Sequence, residues 1–376
     1  MPRKYEQALE ALSRRGRLRA LEGRAGLDFT SNDYLGLADS PELKEAVSAA
    51  LARGVPVGAG GSRLLRGNHP EHDQLEQEAA AFFGAESALY FGSGFAANAA
   101  LISTLPQRGD LLLYDALVHA STREGLAGTR ARHQSFAHND VMQIEEQLRA
   151  FRKDDAQGRC FIAVESLYSM DGDFAPLDDI AALAARYDAF LLVDEAHATG
   201  VQGPQGRGLA AGLAGHANIV SLHTCGKALG VSGGLLTMPD VLRRFMINRC
   251  RPFIYATAPS PLVAACVRAA LALCAQADDR RAALKERVSR LGRHFSALGL
   301  PVSGSQIQPL VLGADRRALA MAQALAGEGF DVRAIRPPTV PEGTARLRIT
   351  LGAPRQLEEI DALCASLGRQ LQDATP

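Results

Sequence analysis

The sequence predicts an α/β protein, with a large domain built on a mostly parallel sheet and a smaller α+β domain after it. Three observations lead there. Short apolar runs alternate with helical stretches from about residue 71 to 250, and the 376-residue length exceeds what one core usually holds. Beyond residue 250 the texture changes to long helical stretches around one alternating segment. The expected divisions are an N-terminal helix and arm over 1–40, the large α/β domain over 41–250 and the C-terminal α+β domain over 251–376.

The elements follow in order. Residues 1–24 carry seven basic side chains against Glu6, Glu10 and Glu22, which reads as a solvated amphipathic helix. HDQLEQEAAAFFG (72–84) has a helical pattern, ALYF (88–91) that of a strand and NAALISTL (98–105) that of a helix. LLLYD (111–115), CFIAVES (160–166), FLLVDE (190–195) and NIVSLHT (218–224) are short runs suited to strands buried on both faces. PLDDIAALAARYD (176–188) opens with proline and acids and sets Ile180, Leu183, Ala184 and Tyr187 on one helical stripe. Helices are expected over 261–275, 279–299, 316–327 and 355–371, and ARLRIT (345–350) alternates like a half-exposed strand.

Composition excludes several function classes. Hydrophobic residues make up 47% and charged residues 22%, and the net charge is zero, so no field attracts nucleic acid or an anionic membrane. The six cysteines form no CxxC pair, which suits reduced thiols in a cytoplasmic protein. MPRKYEQALEAL lacks the apolar core of a signal peptide, and the uncharged stretches near 87–107 and 208–226 are too polar for membrane spans. DGDFAPLDD lacks the glycine and closing glutamate of a calcium loop, and DEAH lacks the spacing of HExxH, so no metal is expected.

The chemistry centres on SLHTCGKALGVSGG (221–234), where Lys227 stands alone among small residues just past a strand. A phosphate-gripping loop fails at both ends, because Ser221 replaces its first glycine and Ala228 follows the lysine. A second reading takes Gly92, Gly94 and Ala97 as a GxGxxA dinucleotide fingerprint with Asp115 as its acidic residue, giving a nicotinamide-dependent oxidoreductase. It leaves Lys227 and Asp194 without a role. The third reading uses them together. Pyridoxal phosphate needs a lysine for its aldehyde, a carboxylate for its pyridine nitrogen and donors for its phosphate. Lys227, Asp194 at the end of LLVD, the backbone around Ser93, Gly94 and Phe95, and the Thr224 hydroxyl meet those needs. A strand-end cap for Asp194 and a structural histidine at His197 are the bland alternatives.

SNDYLGL (31–37), GNHPEHDQLE (67–76), SGFAAN (93–98), DALVHAS (115–121), ESLYSMDGDFAPL (165–177), VDEAHATGVQGPQGRG (193–208) and TCGKALGVSGG (224–234) together resemble the α-oxoamine synthases. These are pyridoxal-phosphate transferases of the aspartate aminotransferase-like fold, fold type I, and the resemblance runs in order over nearly the whole chain. It implies that Lys227 is the Schiff-base lysine, that Asp194 pairs with the pyridine nitrogen and that His197 bonds the ring's phenolic oxygen. It implies that His119 packs on the ring face, with Ser169, Thr224, Gly94 and Phe95 also holding the cofactor. It further implies that Arg336 clamps the amino-acid carboxylate, with Arg19, Asn32 and Thr339 lining the substrate site. AIRPPTVPEGTARLRIT (334–350) resembles most the branch that joins L-alanine to a pimeloyl thioester, carried on coenzyme A or a carrier protein. Another branch, sharing the lysine and aspartate, joins glycine to an acetyl thioester. The family implies a homodimer.

Overall fold

A computed structural model describes residues 2–21, 23–154 and 157–373, so Glu22 of the basic N-terminal stretch lies outside the described residues. The chain forms two compact units. The larger comprises Leu35–Ser169 and Phe174–Arg281, and the smaller Met1–Tyr34, Met170–Asp173 and Ala282–Pro376.

A seven-stranded sheet organises the larger unit, in the order Ser87–Phe91, Gly234–Met238, Ile219–Thr224, Ala189–Asp194, Cys160–Glu165, Leu111–Asp115 and Arg132–Phe136. Gly234–Met238 runs antiparallel to both neighbours, and the remaining pairs are parallel. The buried runs form central strands because successive side chains leave opposite faces and both faces are covered. Phe161, Ala163, Leu192 and Leu222 pack beneath Leu101 and Ile102 of the helix Gly94–Thr104. Cys160, Ile162, Leu191 and Val193 pack on Ile144, Leu148, Ile180 and Leu183. The expected stripe on Leu177–Arg186 is therefore the face that covers the sheet, with Tyr187 partly buried at its end.

Two strands of this sheet escape the sequence pattern. Arg132–Phe136 lies at the sheet edge, where its first four residues are exposed and have no reason to be apolar. Gly234–Met238 returns antiparallel directly after the Lys227 loop. Helix boundaries carry their own signals. Pro70–Phe83 starts with His69 as cap and Pro70 in the first turn, and stops at Gly84, whose φ of 73° is left-handed. The helix Pro261–Ala275 packs on Pro41–Ala52 and Pro70–Phe83 within the larger unit.

In the smaller unit, Arg333–Ile335, Ala345–Thr350 and Ile307–Gly313 form an antiparallel sheet in that order, with the helices Asp315–Gly327 and Leu357–Asp373. Leu27–Asp28 pairs in parallel with Phe330–Asp331. ARLRIT departs from expectation, since all six of its residues are buried rather than every second one. Its two arginines are tolerated because each is bonded. Arg346 donates to Asp171 and to the Thr344 carbonyl, and Arg348 donates to Asn32 Oδ1 at 3.1 Å. All six cysteines are free and buried. Among the described residues no single helix is long and apolar enough to cross a membrane.

Candidate active site

Four of the five mutually parallel strands of the larger unit end in polar residues, namely Asp115, Glu165, Asp194 and Thr224. In open α/β sheets the carboxyl ends of strands are where ligands bind. Asp194 closes the strand Ala189–Asp194 and is buried, with Oδ1 accepting from the Ala196 N–H at 2.9 Å and Oδ2 from Asn98 Nδ2 at 3.0 Å. Burial pushes its carboxyl above the ordinary range, while the nearby Lys227 and the Ala196 N–H pull it back.

Lys227 follows the strand Ile219–Thr224 in a tight loop closed by the Gly230 N–H on the Lys227 carbonyl and the Val231 N–H on the Cys225 carbonyl. Its Nζ lies 2.7 Å from Nε2 of the buried His197. His119 caps the helix Ala120–Gly128, its Nδ1 accepting from the Ser121 N–H at 3.2 Å. Burial and then Lys227 push the His119 imidazole down, and Asp194 opposes them, so the ring is neutral near pH 7. Phe95 meets His119 edge to face at 6.2 Å.

The helix Gly94–Thr104 begins with Ser93 as cap, whose hydroxyl accepts from the Ala96 N–H at 3.1 Å. The N–H groups of Gly94 and Phe95, in the first turn, have no acceptor within the helix and are suited to an anion. A side chain at Gly94 would bring its Cβ to 2.8 Å from Thr224 Oγ1, so helix start and strand end meet with room for backbone alone. Ser169 is buried, and its N–H donates to Glu165 Oε2 at 3.1 Å.

These residues fit pyridoxal phosphate. A lysine amine, a buried carboxylate with both oxygens fixed, a neutral imidazole and a backbone cradle beside a hydroxyl are the parts that cofactor requires. The dinucleotide reading does not survive. Asp115 is fully buried, its oxygens accepting from the Leu117 and Asn139 N–H groups at 2.7 and 2.8 Å and facing His138 Nδ1 at 3.0 Å. It has no oxygen left for a ribose. The strand before GSGFAA pairs antiparallel at the sheet edge and is not the parallel strand that such a fingerprint needs.

In the smaller unit, Arg19, Thr339 and Arg336 come together. Arg19 Nη2 reaches Thr339 Oγ1 at 3.4 Å, the Thr339 N–H donates to the Arg336 carbonyl at 3.1 Å, and Arg336 Nη1 donates to the Gly16 carbonyl. Burial and the neighbouring Arg19 lower the Arg336 pKa, a sign of two cations held close. Beside them lies a groove of about 540 Å³ lined by Leu9, Leu12, Leu18, Arg19 and Val340. Asn32 belongs to another cluster, where its Oδ1 accepts from Tyr34 Oη at 3.0 Å and from Arg348. Arg17, counted above among solvated charges, is bound to Asp315 at 2.7 Å and to Glu342.

Two residues of the site were missed in the sequence. Asn98 interrupts the apolar helix GFAANAALIST, and its Nδ2 reaches Asp194 as well as Ser121 and Thr122 hydroxyls. A lone amide on an otherwise apolar helix was the available signal. Glu165 offered the same signal as Asp194, an acid where the apolar run CFIAVE stops, but the register that sets it beside Asp194 comes only from the fold.

Residues 24–367 match the aminotransferase class I and II model, and the chain belongs to that family. It is 44% identical over 348 residues to an 8-amino-7-oxononanoate synthase of Chromobacterium violaceum, covering 91% of this chain and 88% of that one. It is 43% identical to one of Herminiimonas arsenicoxydans, covering 92% and 90% of the two chains. Among solved structures, a serine palmitoyltransferase from S. paucimobilis superposes with a TM-score of 0.90 at 26% identity, covering 98% and 97% of the chains. The 8-amino-7-oxononanoate synthase from Francisella tularensis gives 0.78 at 26% identity, covering 93% and 98%.

Proposed function

We propose that the protein joins L-alanine to a pimeloyl thioester to give 8-amino-7-oxononanoate, CO2 and a free thiol in biotin biosynthesis. The observation that carries this is Lys227 at the carboxyl end of the sheet, 2.7 Å from His197 and within electrostatic reach of Asp194 and His119. The names of the relatives above supply the product, and the resemblance over 334–350 supplies L-alanine and the pimeloyl thioester. Bound pyridoxal phosphate supplies an aldehyde for the amine and a sink for the electrons released at the amino-acid Cα.

The chain's own residues do the rest. Asp194 would hold a proton on the pyridine nitrogen, and Asn98 and the Ala196 N–H keep its carboxylate in place. His119 would pack on the ring and His197 would bond the phenolic oxygen. The Gly94 and Phe95 N–H groups would hold the phosphate with Thr224 and Ser169. Lys227 Nζ takes the proton from Cα of alanine. Cα then bonds the acyl carbon as the carbon–sulfur bond breaks, the thiolate departs and takes a proton from solvent, and the carboxylate leaves as CO2. Lys227 finally returns a proton to Cα. Arg336 clamps the amino-acid carboxylate as a bidentate fork, and Arg19, Asn32 and Thr339 line the substrate site. The thioester is carried on coenzyme A or a carrier protein, and the protein works as a cytoplasmic homodimer.

The test is twofold. Borohydride reduction and peptide mapping should place a pyridoxyl adduct on Lys227, and Lys227→Ala should abolish turnover of L-alanine with pimeloyl-CoA. Absence of the adduct sinks the reading. Equal turnover of glycine with acetyl-CoA would move the protein to another branch of the family.

A further inference from the structure

The roles proposed above leave one buried acid of the site without an assignment. Glu165 closes the strand Cys160–Glu165 and is the register partner of Asp194 on the adjacent parallel strand. Register partners leave the same face of a sheet, with strands about 4.8 Å apart. Both acids are buried, yet their surroundings differ. Asp194 has a donor on each oxygen. Glu165 Oε2 accepts the Ser169 N–H at 3.1 Å, while Oε1 is buried with no hydrogen-bond partner among the described residues.

A carboxylate so placed is costly. An ionised oxygen buried without a donor forfeits its solvation, and a second anion beside Asp194 adds repulsion in a medium of low dielectric. The charged groups facing Glu165 are Asp194 on one neighbouring strand, Asp115 at the end of the other, and Lys227 beyond the next. Two acids against one lysine favour a proton on Glu165.

Resting on the function proposed above, we propose that Glu165 is a positioning residue, a neutral carboxylic acid that anchors the Ser169 turn and leaves Asp194 as the one anion offered to the cofactor's pyridine nitrogen. Its oxygen spans four residues to the Ser169 N–H, closing the turn that begins where the Ser166 N–H meets the Asp194 carbonyl at 3.0 Å. Burial, followed by Asp194, pushes the Glu165 carboxyl up to about 8. The proton therefore stays through neutral pH and leaves in mild alkali.

The experiment compares full-length holoenzyme of wild type, Glu165→Gln and Glu165→Ala. The readouts are the pyridoxal-phosphate dissociation constant and the pH titration of the visible absorbance of the lysine–cofactor imine. Glutamine keeps a neutral acceptor for the Ser169 N–H, so E165Q should hold the cofactor within about threefold of wild type, whereas E165A should lose about tenfold, the scale of one buried hydrogen bond. The component of the wild-type titration near pH 8 should vanish in E165Q. An E165Q that loses cofactor as badly as E165A would show that the ionised carboxylate is what matters. An E165Q that titrates like wild type, or an E165A that binds like wild type, would equally overturn the proposal. A wild-type protein with no imine absorbance at all would instead bring down the functional reading beneath it.

Discussion

At the residue scale, the strand ends concentrate buried acids whose protons tie stability to pH. Burial raises Glu165 to about 8 and Glu195 to about 7, from an ordinary carboxyl value of 4.5. Between 4.5 and those values the folded protein binds more protons than the unfolded chain, so each step up in pH lowers stability. Buried histidines act the other way. His223, stacked on Phe83, is lowered to about 3, so from there to 6.5 the unfolded chain binds the extra proton and stability climbs with pH. His72 and His119 are lowered as well and add in the same sense. Above pH 6.5 the histidine contribution is complete and only the acids remain. Calorimetry on cofactor-free protein should show the unfolding temperature falling between pH 6.5 and 8, and Glu165→Gln should flatten that fall. A temperature that rises through this window would contradict the burial of these carboxyls. Asp194 and Lys227 were legible in the sequence because each stands where an apolar run stops. Glu165 also stands where an apolar run stops and Asn98 interrupts an apolar helix, but what each of them does was not legible, because their partners lie on strands and helices that meet only in the fold.

At the element scale, the start of the helix Gly94–Thr104 is packed against the ends of two strands. A methyl at Gly94 would lie 2.8 Å from Thr224 Oγ1 and 3.0 Å from Thr224 Cβ, and a methyl at Gly234 would lie 2.7 Å from Gly94 Cα. Gly94 does not need a left-handed backbone, so alanine there acts through crowding alone. Overpacking of this kind costs about 1–3 kcal/mol. Gly94→Ala should therefore push the helix start away from Thr224 and weaken pyridoxal-phosphate binding by about tenfold or more, with about 1.4 kcal/mol per tenfold. Equilibrium titration followed by imine absorbance measures it, and unchanged affinity would show that the cradle lies elsewhere. Most elements of the sheet were readable as short apolar runs because both faces are covered. Arg132–Phe136 was not, since an exposed edge strand leaves no apolar trace. Ala345–Thr350 was read as half exposed because its arginines alternate, whereas Asp171 and Asn32 let both lie buried.

At the scale of the whole molecule, association follows from what the larger unit leaves in water. Leu65 is 83% exposed and Tyr255 71%, with Val57 and Leu64 exposed nearby in sequence. The two segments that carry them are stitched together, the Ala258 N–H donating to the Gly61 carbonyl at 2.8 Å and the Ser260 hydroxyl to the Val57 carbonyl at 2.5 Å. Exposed apolar side chains gathered on adjoining loops mark an interaction surface, and a second copy related by a twofold axis is the commonest way to cover one. A specific interface of ordinary size buries about 1,600 Å², and truncating one of its central anchors costs about 2 kcal/mol or more. Sedimentation of the wild-type chain should give a dimer. The pair Leu65→Asp and Tyr255→Asp should raise its dissociation constant by about a hundredfold or more, since each new carboxylate is desolvated where an apolar anchor had packed. Circular dichroism should show the fold retained, because both side chains are exposed within a single chain. A double variant that sediments as wild type does would move the interface away from these loops, and a monomeric wild type would remove it.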